Sequence, residues 1–153
     1  MTSEYMRTKK TNFLQTIVLI TGIVYIAIGV IFSISPSRFG RFFLVQVNDE
    51  WQNQVRLDDF LVMIHMFSRM LAILLSMVGL SFIMPLFDPL KYRLMIYLFG
   101  AIFPAIASIF YLYNGFAEGH LSARVGGFFF LIICILHSIA LFLTKDDARK
   151  GIE

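Results

Sequence analysis

A single cysteine, Cys134, stands among the 153 residues. One thiol excludes an intrachain disulfide, and the absence of any C-x-x-C pair removes the usual redox and zinc patterns. Cys134 lies in an apolar block and reads as a small buried hydrophobe. Charge is scarce too. Asp, Glu, Lys and Arg make up 15% of the chain, against ~25% in soluble domains, while hydrophobic residues reach 58%. No Asp or Glu lies inside any long apolar run. A small proton-coupled exporter needs an intramembrane carboxylate, so that class is disfavoured. No Gly-x-Ser-x-Gly context is present, and no Ser/His/Asp set falls at one depth, so nucleophilic catalysis has no support. The net charge of +3 does not imply nucleic acid. The basic residues sit at the ends of apolar runs and form no continuous patch.

What the chain does contain is long apolar runs. A membrane span needs ~20 mostly apolar residues, and four candidates meet that: about 13–33, 60–87, 94–113 and 125–143. The expected fold is all-α, a single transmembrane domain over 1–153 built as an integral membrane four-helix bundle. The first run follows the basic "MRTKK". It exceeds the ~7–15 residues of a signal-peptide core and no A-x-A-like site follows, so it reads as a retained span.

Lys and Arg orient the spans. Arg7, Lys9, Lys10, Lys91, Arg93, Lys145, Arg149 and Lys150 fall on one side, and Arg38, Arg41, Arg56 and Arg124 on the other. The positive-inside bias then puts both termini in the cytoplasm. The segment at about 36–56, with "SPSRFGRFFLVQV" and the only tryptophan, Trp51, is expected to lie as an interfacial helix on the outer surface. Its Phe39, Phe42, Phe43 and Trp51 are candidate interface residues.

Small residues mark packing faces between helices in lipid. Gly22, Tyr25, Gly29 and Ser33 share a face of the first span. In the second, Asp58, Val62, His65, Arg69, Ala72, Ser76 and Gly79 recur at spacings of 4 and 3. The third offers Gly100, Pro104, Ala107, Tyr111 and Asn114, with a kink expected at Pro104. The fourth offers His120, Arg124, Gly127, Leu131, Cys134 and Ser138, with His137 flanking. All four faces are expected to point inward, with an outer polar half holding His65, Arg69, Tyr111, Asn114, Glu118, His120 and Arg124.

Arg69 is the most informative residue. At ~1.5 Å per residue its backbone lies ~13 Å from the outer edge, where an arginine costs roughly 2.5–3.5 kcal/mol. Either it climbs its own helix toward Asp58 or Glu118, or it meets an anionic or carbonyl-bearing ligand such as a lipid headgroup or quinone. Arg69, His65, Tyr111, Arg124 and Tyr25 are the candidate ligand-binding residues. A haem b between His65 and His137 is disfavoured, because the two lie at depths of ~7 and ~18 Å. His137 is expected to bond to a neighbouring helix, for example at Gln15, Tyr97 or a carbonyl. Glu118 and His120 are too few for a metal site.

Several segments together bear on family. These are "SISPSRFGRFF" after a Gly-containing first span, a polar-headed second span, "FDPLKYR" between spans two and three, and "YNGFAEG" before the fourth. In this layout the chain resembles small bacterial four-helix membrane proteins of the DoxX-like kind. It departs from them at "HMFSRM", where a small, Gly-rich stretch is usual. The resemblance implies a four-span layout and carries no functional residue.

The sequence thus favours a non-catalytic accessory or scaffold subunit of a larger membrane complex, partnered by other membrane subunits, a second copy or lipids. The 17 Phe residues supply contact surface. The alternative is a small lipophile-binding protein or enzyme that holds a quinone or lipid headgroup near Arg69.

Overall fold

The computed structural model describes residues 8–35 and 58–146. The interfacial segment and its Phe39, Phe42, Phe43 and Trp51 lie outside the described residues. Four helices are long and apolar enough to cross a membrane: α1, Lys9–Ile34; α2, Asp59–Phe87; α3, Arg93–Ala117; and α4, Leu121–Leu143. They extend beyond the runs read from hydropathy, and polar side chains cap the starts of α1 and α2. Thr8 and Thr11 form a reciprocal capping box at the start of α1. Asp58 Oδ1 accepts the N–H groups of Phe60 (2.9 Å) and Leu61 (3.3 Å) at the start of α2. In the turn before α3, Asp88 Oδ1 accepts the Lys91 N–H at 3.1 Å. Before α4 the chain turns at Gly119, whose φ of 76° favours a residue without a Cβ.

Two helices are interrupted, and proline explains both. In α2, regular helix runs over Asp59–Ser81, breaks at Phe82, and resumes over Ile83–Phe87. Pro85 has no N–H for the Ser81 carbonyl, and its ring crowds that turn. In α3 the kink expected at Pro104 takes the form of a π-helical segment, Tyr97–Ile102, just ahead of the proline. The Phe103 N–H reaches back five residues to the Leu98 carbonyl. A wide turn there shifts the hydrogen-bond ladder around the missing donor.

The helices form two antiparallel pairs, α1 with α2 and α3 with α4, joined mainly where α1 meets α4. The core lies between the pairs and includes Leu14, Val18, Tyr25, Phe82, Ile96 and Ile133. The α1–α2 contact is close because its residues are small. Gly22 and Gly29 face Ala72, Ser76 and Gly79, and a Cβ at Gly79 would stand 2.7 Å from the Gly22 carbonyl oxygen. These positions are the inner parts of the faces read from spacing.

The expected inward convergence of all four polar heads does not form. Among the described residues, apart from Phe82, which reaches α4 at His137 with ring centroids 6.0 Å apart, α2 packs almost wholly on α1. Met63, Met66, Phe67, Met70 and Met77 on α2 are all exposed. Two facing assignments also change. On α4, His137 is buried and Ser138 exposed; on α3, Ser108 is buried and Ala107 only partly so. Uniformly apolar spans carry little periodic signal, so neighbouring positions compete for the core face.

Candidate functional site

The polar residues proposed from sequence fall in three separate places. Tyr25 is fully buried in the core, beside Phe82 (6.1 Å between centroids) and edge-on to Phe103 (6.3 Å). Its hydroxyl donates to the Phe99 carbonyl at 3.4 Å. That carbonyl has lost its ordinary partner. In an α-helix it would accept from Phe103, whose N–H is diverted to Leu98. In a continued π-helix it would accept from residue 104, which is proline. Tyr25 therefore serves a backbone group that the π-turn and Pro104 strand together. A Tyr25→Phe variant is expected to lose about 1 kcal/mol of stability, the usual loss when a buried carbonyl is left unpaired. Unfolding in detergent micelles reads this, and equal stability would mean that the carbonyl has another partner.

His137 lies in the same layer and is 0% exposed. Its Nδ1 pairs with the Ile133 carbonyl of its own helix at 3.0 Å, not with Gln15 or Tyr97. Gln15 instead donates to the Leu86 carbonyl at 2.9 Å, tying α1 to the end of α2. The His137 ring packs on Gly100 of the π-turn, where any Cβ would overlap it. Among the described residues its Nε2 has no hydrogen-bond partner. His65 lies far along α2, so the two histidines do not face one another across a common plane.

Tyr111 and Arg124 belong to the α3–α4 pair. Tyr111 is stacked on Phe130, with centroids 5.8 Å apart. Arg124 donates from Nε to the Gly115 carbonyl at 2.8 Å and lies over the Phe116 ring at 4.9 Å. Gly115 and Gly127 are buried and let the two helices close: a Cβ at Gly115 would meet Arg124, and one at Gly127 would meet Leu112. These contacts lock the turn end of the pair and take up the Arg124 fork locally.

Arg69 is different. It is exposed on α2, one turn from the half-buried His65, and among the described residues it makes no hydrogen bond or ion pair. Its two expected acids are engaged elsewhere. Asp58 caps its own helix, and Glu118 pairs with His120 at 3.4 Å. Met66, Phe67 and Met70, all exposed, surround it in sequence. The structure brings His65 and Arg69 together and leaves Tyr25, Tyr111 and Arg124 apart from them.

Arg93 was counted in the sequence only as an orienting charge. It in fact closes the C-terminus of α4. Nη1 donates to the Thr144 carbonyl (3.0 Å) and to Thr144 Oγ1 (3.1 Å), and Nη2 donates to the Leu141 carbonyl. A cation at the negative end of a helix is favourable. The signal available in sequence was its place at the start of one span, level with the end of the next.

The described residues define a helical protein of two antiparallel pairs, with Arg69 on α2 making no hydrogen bond or ion pair among them. No family model matches the chain, and no curated protein and no solved structure matches it.

Proposed function

We propose that the chain is a multi-pass membrane protein with both termini cytoplasmic, acting as a non-catalytic accessory or scaffold subunit that docks through the outer half of α2. The observation that carries this reading is Arg69, a cation with no hydrogen bond or ion pair among the described residues, on a helix that packs there almost wholly on α1. Lipid tails satisfy the exposed Met and Phe residues but not a guanidinium. A carboxylate or carbonyl on an adjoining transmembrane helix would satisfy it, and the flexible Met side chains adapt to such a surface. The expected partner is another membrane subunit or a further copy of this chain. Lys9, Lys10, Lys91 and Lys145, with Arg93, gather at the helix ends opposite Asp58 and Glu118, in keeping with the positive-inside orientation.

Gentle detergent extraction followed by native mass spectrometry is the direct test. The expected result is the intact chain in complex with a second membrane polypeptide or with itself. A monomer that persists across mild detergents would overturn the docking reading.

A further inference from the structure

We infer that the groove between the start of α3 and the end of α4 is a binding site for the phosphate of an anionic phospholipid. The groove has a volume of about 460 Å³ and is lined by Arg93, Leu94, Tyr97, Leu141, Phe142 and Lys145. Its composition is graded. Arg93 and Lys145 stand at the basic end of the helices, while Leu94, Tyr97 and Phe142 provide exposed apolar wall (69%, 51% and 76% exposed). A phospholipid has this same order, an anion at the membrane face with acyl chains running inward.

The Arg93 guanidinium is held rigidly at the groove by Thr144 and Leu141. A guanidinium has five N–H groups. Three are accounted for by those bonds, which leaves the Nε–H and one Nη2 hydrogen. All of its acceptors are neutral oxygens, so among the described residues it has no ion pair. Lys145 has no hydrogen bond or ion pair among them either. Two cations without a carboxylate partner beside an apolar wall are complementary to a phosphate carrying hydrocarbon, and basic pockets between spans on the cytoplasmic side suit such headgroups. Held in place before the lipid arrives, Arg93 gives up little side-chain freedom on binding. Arg93 is thus both the cap of α4 and the floor of the site.

The inference shares with the proposed function only its membrane placement, which resistance of the membrane-bound chain to alkaline carbonate extraction reports separately. The test is a titration of the purified full-length protein in detergent, followed by native mass spectrometry. Phosphatidylglycerol and phosphatidylcholine of equal chain length are the probes. The expected result is a preference for phosphatidylglycerol of roughly tenfold, falling about fivefold in Lys145→Gln, the equivalent of one surface cation. Lys145→Gln removes an exposed side chain without hydrogen bonds, so folding is preserved. Lys10→Gln makes the same charge change at the same end but outside the groove, and is expected to bind as the unmodified protein does. Equal binding of the two lipids, an equal loss in both variants, or full displacement of the lipid by inorganic phosphate at matched ionic strength would overturn the assignment.

Discussion

Gly29→Ala is expected to force α1 and α2 apart and to cost roughly 2–3 kcal/mol, near the top of the usual range for overpacking a tight contact. The added methyl would overlap both Ser76 Oγ and the Ala72 carbonyl. The hydroxyl can rotate away, but the carbonyl and the Ser76 amide nitrogen, 2.8 Å from the added carbon, belong to the α2 backbone and cannot. One soft and two rigid obstacles predict a graded rescue. Ser76→Gly in the Gly29→Ala background should restore part of the stability and not all of it. Unfolding of the purified protein in mixed micelles measures both effects, with Ala27→Val on the exposed side of α1 as a control for helix propensity. An unchanged midpoint for Gly29→Ala would show that the helices are not held at this distance. The effect is large because, among the described residues, α2 has no second neighbour of comparable extent. When α1 moves away, no other described helix takes over its packing.

Arg69→Leu is expected to leave the fold intact and to weaken association with the partner by at least about 30-fold. Removing one member of a desolvated charge pair generally costs 2–5 kcal/mol at an interface. Within the described chain the substitution breaks nothing, since Arg69 has no partner there to lose. It also removes a charge that opposes insertion of α2 by roughly 2.5–3.5 kcal/mol. Stability and association should therefore move in opposite directions, which separates a docking role from a structural one. Arg69→Lys keeps the charge without the planar fork and should fall between the two. The readout is the ratio of complex to free chain in native mass spectra of matched extracts. An unaltered complex with Arg69→Leu would remove Arg69 from the interface and, with it, the basis of the docking reading.

Particular residues show what was legible in the sequence and what was not. The four spans follow from composition, because ~20 apolar residues in a row have few other uses. Gly22, Gly29, Ala72, Ser76 and Gly79 were legible as packing positions, since small residues at helical spacing allow backbones to approach. A kink was expected at Pro104, but the break at Phe82 ahead of Pro85, the π-turn and the recruitment of Tyr25 to the Phe99 carbonyl were not read from the sequence. That pairing needs a second helix at the right height and rotation. The choice of His137 over Ser138 for the core, and of Ser108 over Ala107, depends in the same way on helix rotation, which a uniformly apolar run does not encode.

Local chemistry thus determined the number of helices, their ends and the order of their charges. The chain's own residues specify these within a few turns, through hydropathy, caps and proline. Tertiary structure alone decided that the helices meet as two pairs, that Arg93 closes α4 across 51 residues of chain, and that Arg69 finds no partner among the described residues. Those outcomes depend on which helix stands beside which. In apolar surroundings that is settled by the fit of small surfaces and by the need of each buried polar group for a partner, conditions that exist only once the helices are together.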